Sequence, residues 1–297
     1  MRMKRIFTFL LLTLFVAYSF AATVASGTCG AEGDGSNLTW ELGDDGTLTI
    51  RGTGYMKDFV SRQDPSPWEY NNNILNVVVE QGILNIGDDA FLCCEKIITV
   101  DLPTGMESIG EAAFNYCFDL EGIIIPEGVT EVGVAAFLDC ISLERIELPS
   151  TLKLISNYAF FLNQGSKCNT IICRAIDPPT CLSDKWSPFD GIGYDIGIEN
   201  VTVYVPEESI DLYRNAAGWD YFTNFLPLED MSAAINDNND NEATIKVYAR
   251  DGRIYCDCES GFAVYNLAGR EVSEQDGNLH GMYVVVAGDE VVKVLIE

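Results

Sequence analysis

Histidine is almost missing from this chain: His280 is the single one in 297 residues. Ser-His-Asp and Cys-His catalysis needs an imidazole within hydrogen-bond reach of the nucleophile. The chain ahead of His280 has none, so no hydrolase of that kind is expected in it. Zinc sites lose their commonest nitrogen ligand for the same reason. Basic residues are scarce as well, 18 against 45 acids, giving a net charge of −27. Such a surface repels phosphate backbones and anionic headgroups, which argues against nucleic acid and peripheral membrane binding. It suits an extracellular protein or a basic partner. Long apolar runs are confined to the N-terminus. Arg2, Lys4 and Arg5 precede about 13 mostly apolar residues, Ile6 to Tyr18, and then the small residues Ser19, Ala21 and Ala22. That run is short for a bilayer span, and the pattern is that of a secretory signal over 1–25, cut near Ala21 or Ala25. The acidic stretch 237–242, DNNDNE, lacks the glycine and the distal glutamate of a calcium loop. No metal, cofactor or catalytic residue is expected, and the carboxylates show no spacing that singles out a pair.

What the chain does have is an internal period. Ala-Phe pairs fall at 90–91, 113–114, 136–137 and 159–160, each 23 residues after the last. Cys94, Cys117 and Cys140 keep the interval, as do Pro103, Pro126 and Pro149. An aliphatic residue before a small one recurs at Ile86-Gly87, Ile109-Gly110, Val132-Gly133 and Ile155-Ser156. So many columns in phase mark a solenoid, because one unit is too short to enclose a core and must stack on the next. Within each unit, Ile123/Ile125 and Ile146/Leu148 alternate as in a short strand, and the following proline ends it. The Ala-Phe-x-x-Cys stretch is expected to be one helical turn. Each unit therefore predicts strand, turn and helical turn, with the strands in a parallel sheet.

The array extends both ways. Val77 and Val79 predict an earlier strand, Cys168/Ile171/Cys173 a later one, and Val203/Val205 one more. The stretch from Ser209 to Phe222 predicts a closing helix with Tyr213, Trp219 and Phe222 over the open end. Upstream, Leu38, Trp40 and Leu42 alternate, Asp45-Gly46 turns, and Leu48 and Ile50 return, a hairpin expected to cap the array. The stretch from Ser66 to Asn72 predicts a turn of helix. The expected divisions are the signal 1–25, the cap 26–73, the solenoid 74–228, a polar linker 229–243 and a small all-β unit 244–297. Buried free thiols are expected for the cysteine column, since three members cannot all pair. Cys173–Cys181 is the first choice should a bridge exist, and Cys256 and Cys258 are poorly placed to join each other.

The unit "IG..AF..C..L..I.LP", the lead-in from Ser26 and the close "VYVPEESIDLYRNAAGWDYF" resemble the BspA-type leucine-rich-repeat family over about residues 26–228. The resemblance implies a surface or secreted bacterial protein, several relatives being adhesins, and names no ligand. Asn163 departs from the cysteine column. The end of the chain resembles the C-terminal sorting domain of type IX secretion cargo, through Val264 to Arg270, Gly281 to Val285 and Lys293-Val294, with His280 where proline is usual. That would imply passage across the outer membrane with the secretion machinery as partner. The expected function is binding of an extracellular protein or glycan; the alternative is a structural component that self-associates. The outward strand positions are the expected surface: Val78, Asp101, Ile124, Arg145, Glu147, Ile172 and Tyr204.

Overall fold

The computed structural model describes residues 21–163, 165–183, 186–230, 247–250, 253–256, 262–266, 271–272, 281–287 and 290–296. Residues 1–20 of the expected signal, His280, Cys258 and nearly all of the linker lie outside them.

Three strands open the fold: β1 (Thr23–Thr28), β2 (Leu38–Gly43) and β3 (Thr47–Gly52), paired antiparallel in that order. Leu38, Leu42, Leu48 and Ile50 are buried beneath them. From β3 onward the strands of the solenoid pair parallel to one another. Each coil then lays down a longer and a shorter strand. They are β4 (Asn76–Val79) and β5 (Asn85–Ile86), β6 (Thr99–Asp101) and β7 (Ser108–Ile109), β8 (Gly122–Ile124) and β9 (Glu131–Val132), β10 (Arg145–Leu148) and β11 (Leu154–Ile155), and β12 (Thr170–Cys173) and β13 (Thr180–Cys181). β14 (Thr202–Val205), the helix α1 (Ile210–Asn215) and β15 (Asn224–Pro227) close the array. The longer strands order as β1-β2-β3-β4-β6 and β8-β10-β12-β14-β15, and the shorter ones as β5-β7-β9-β11-β13. The result is a parallel β-solenoid of about six turns. Equivalent columns pair in register: Ile123 with Ile146, Ile146 with Ile171, and Ile171 with Val203.

The core is a row of rings. Phe91, Phe114, Phe137 and Phe160 stack nearly parallel with centroids 4.9, 5.2 and 5.1 Å apart. Trp68 extends the row one coil earlier and Phe189 one coil later, at 5.5 and 5.8 Å. Beside it, the thiols of Cys94, Cys117 and Cys140 donate to the backbone oxygens of Trp68, Phe91 and Phe114, each one coil back. A small residue with a weak donor meets that need, which explains the column. Cys173 and Cys181 are also free, and the Tyr213 hydroxyl contacts the Cys173 sulfur, so the bridge considered for that pair is not formed. Burial pushes the Cys94 thiol up to about 12 and the Cys117 thiol well above its usual range. Since the thiolate is the reactive form, we expect Cys94, Cys117 and Cys140 to resist a thiol reagent at pH 8 until denaturant is added. Their rapid labelling in native protein, by mass spectrometry, would contradict the packing.

The expected helical turn is not one. Its alternate amides leave the coil altogether: Asp89, Phe91 and Cys93 donate to Glu111, Ala113 and Asn115 in the next coil. The amides between them close local turns, Ala90 to Gly87 and Leu92 to Asp89. To alternate this way the backbone flips handedness, and Asp89, Cys93, Ala112, Tyr116, Ala135, Asp139 and Tyr158 all have φ between 50° and 62°. The segment from Ser66 to Asn72 is likewise a turn, and the closing helix stops at Asn215, leaving buried Trp219 and Phe222 on turns. The glycine after each aliphatic residue answers to close approach: a Cβ on Gly133 would sit 2.6 Å from the Gly110 carbonyl carbon. At the far end of the chain, β16 (Val247–Arg250) pairs with β17 (Arg253–Cys256). β18 (Ala263–Asn266), β19 (Glu271–Val272), β20 (Gly281–Ala287) and β21 (Glu290–Ile296) form a second antiparallel sheet.

Candidate binding surface

The longer strands turn one side chain column outward, Val78, Asp101, Ile124, Glu147, Ile172, Tyr204 and Leu226. The register aligns Val78 with Asp101, Ile124 with Glu147, Glu147 with Ile172, and Tyr204 with both Ile172 and Leu226. The two halves of the column differ. Val78, Asp101 and Ile124 are half-buried, open to solvent on one side. Glu147, Ile172 and Tyr204 are buried, which corrects their expected exposure. Ile172 and Tyr204 form a small cluster of their own with Leu226 and Leu228. Glu147 receives Arg145 Nε at 2.8 Å and Arg174 Nη2 at 3.1 Å, while both guanidiniums stay about a quarter exposed. Arg145 is therefore tied to Glu147 rather than displayed alone.

This ion pair is part of the fabric of the sheet. We expect Glu147→Ala to destabilise the protein by about 2 kcal/mol, below the full buried-pair range because both arginines still reach water. Urea denaturation checks it; a loss under ~0.5 kcal/mol would return Glu147 to the exposed surface. Arg174 was not among the expected residues, although the same two-residue alternation that placed Ile172 outward also places Arg174 outward.

Asp101 contrasts with Glu147. It has no hydrogen bond or ion pair among the described residues, and burial pushes its carboxyl up to about 6. Its neighbours in the column are apolar, Val78 on one side and Ile124 on the other. A carboxylate so placed is short of both water and a counter-charge. An incoming cation or hydrogen-bond donor would supply what it lacks.

Among the described residues there is no group of three or more His, Cys, Asp or Glu side chains placed to hold a metal ion. Among them, too, no helix is long and apolar enough to cross a membrane.

Residues 68–172 match the model of the BspA type Leucine rich repeat region, in six copies. The matched segment is a repeat scaffold, and it indicates no enzymatic family. No curated protein matches the chain. Among solved structures, it is similar to a leucine-rich repeat protein from Eubacterium ventriosum, with 24% identity over 55% of this chain and 47% of that one, at a TM-score of 0.38. The chain thus spans about half the length of that protein. A leucine rich repeat protein of T. pallidum shares 18% identity over 65% of this chain and 81% of its own, at 0.36. A leucine rich cell surface protein from Faecalibacterium prausnitzii shares 17% over 69% and 55%, at 0.34.

Proposed function

We propose that this is an exported repeat protein of the bacterial surface that binds an extracellular macromolecule on the open half of its sheet. The observation that carries the reading is Asp101, an unpaired and partly desolvated carboxyl between Val78 and Ile124. Natural surfaces seldom keep such a group without a use, because removing it would stabilise the fold. Export rests on the N-terminal signal. Cleavage near Ala21 would leave β1 whole, whereas cleavage at Ala25 would remove its first three residues. Outer-membrane passage rests on the sorting-like end of the chain.

Two experiments test these steps separately. Purified protein is passed over immobilised extracellular matrix proteins and glycans. For any ligand found, Asp101→Lys with Ile124→Ala should weaken binding at least about tenfold, a loss of roughly 1.4 kcal/mol. Unchanged affinity would move the site off this half of the sheet. Deletion of residues 244–297 should trap the protein in the periplasm, and normal surface appearance of the truncated form would reject the sorting role.

A further inference from the structure

Ala22 is held at both ends by one residue of the turn between β2 and β3. Its amide nitrogen donates to Asp44 Oδ1 at 2.9 Å, and its carbonyl oxygen accepts from the Asp44 amide, also at 2.9 Å. Thr23 then pairs with Gly43, and after a bulge Ala25, Ser26, Gly27 and Thr28 pair with Leu42, Glu41, Trp40 and Thr39. β1 is the last strand of its sheet, carries no charged side chain and is exposed at five of its six positions. Little burial holds such a strand, and chain ends fray unless they are tied to a sheet. The clasp on Ala22 supplies that tie. Asp44 has no basic side chain as partner among the described residues.

The cut that removes a secretory leader falls in this same stretch of sequence. It follows a small residue, with another small residue two positions earlier. Ser19 and Ala21 meet that rule for the Ala21–Ala22 bond. Thr23 and Ala25 offer a second choice at Ala25–Ser26, with the larger Thr at the earlier position, whereas the Ala22–Thr23 bond has Phe20 there. The fold separates the two choices. A cut after Ala25 discards both Ala22 bonds and the Thr23–Gly43 pair, leaving only Ser26 to Thr28 of β1. A cut after Ala21 keeps them all and changes the chemistry at the nitrogen. Water adds across the amide, the C–N bond breaks, the water oxygen enters the Ala21 carboxylate, and both water protons end on the Ala22 nitrogen. An amide with one N–H becomes an ammonium with three and a full positive charge, placed on a carboxylate. We propose that export hydrolyses the Ala21–Ala22 bond and that Asp44 is the receptor for the new N-terminus, pairing with the Ala22 ammonium to fasten β1. This rests on the export reading above and adds its processing site.

The test expresses the full chain with its own leader in a Gram-negative host and sequences the exported protein from its N-terminus. The expected first residue is Ala22. A start at Ser26, or at any other residue, would overturn the site and leave export standing. Retention of the uncut chain in the cytoplasm would reject the export reading, and the site with it. A second measurement reads Asp44. The α-amine of the mature protein is marked by reductive methylation with 13C-formaldehyde and titrated by NMR. An ordinary α-amine titrates at about 7.7–8.0, and a neighbouring carboxylate raises that value by favouring the charged form. Because this pair lies at the surface, the parent's midpoint should exceed that of Asp44→Asn by about half a unit. Asparagine keeps the shape and a neutral acceptor for the same nitrogen. A glycine inserted ahead of Ala22 moves the ammonium off Asp44 and should lose the shift as well. Equal midpoints in the parent and Asp44→Asn, or an undiminished shift with the inserted glycine, would overturn the receptor role.

Discussion

Phe137→Ala is expected to cost about 3–5 kcal/mol, the range for a fully buried ring. Phe137 has no exposed surface and lies between Phe114 at 5.2 Å and Phe160 at 5.1 Å, within 7° of parallel to both. Removing it opens a gap in the middle of the row, where the backbone ladders on either side hold the coils at fixed spacing and prevent collapse. Both the ring's transfer energy and its stacking contacts are lost. In a solenoid each coil touches only its neighbours, so the defect also weakens the coupling between the two halves. Urea unfolding should show a lower midpoint. A reduced slope would mean that the halves have begun to unfold separately. A loss below about 1 kcal/mol would contradict the ring row.

Asp101→Asn is expected to stabilise the protein at pH 8 and to do almost nothing at pH 3.5. The folded carboxyl has its midpoint near 6 against an ordinary 3.8, raised by burial. The folded state therefore holds its proton more tightly, and the stability this contributes is complete below about 3.8 and is lost as the pH rises through 6. Above that window the ionised group costs roughly 2–3 kcal/mol. Asparagine keeps the shape and cannot ionise, so it should recover most of that amount, about 2 kcal/mol. Thermal melts of both proteins at the two pH values measure it directly. Parallel behaviour at both would mean that the carboxyl is well solvated. A bound ligand carrying a cation should produce the same relief in the parent at pH 8, which ties the stability experiment to the proposed sheet site.

The ring row, the thiol column and the strand register were all legible in the residues, because each is one column of a 23-residue repeat. Trp68 is 23 residues before Phe91 and could have been added by counting. Phe189 could not, because the chain between it and Phe160 is 29 residues long and breaks the phase. The helical reading of Ala-Phe-x-x-Cys failed for a different reason. Spacing of apolar residues cannot reveal whether an amide bonds within its own coil or to the next. Here Phe91 reaches Ala113, which only stacked coils permit. β15 was missed because Phe225 alone is buried there, with Leu226 and Pro227 partly open, so it lacks an alternating pattern.

The expected surface fared unevenly on the same logic. Alternation correctly turned Asp101 and Glu147 to the same side, and it could not distinguish them. One carboxyl sits between Val78 and Ile124 without a counter-charge, while the other is gripped by Arg145 and by Arg174 from the next coil.

By itself the sequence determined the repeat length, the column that faces inward and the acidity of the exterior, since these are properties of residue order and composition. Tertiary structure alone decided which outward residues stay open, which turns run left-handed and which charges find partners. Those outcomes depend on contacts between coils more than twenty residues apart, and a column of letters carries no record of what lies across from it.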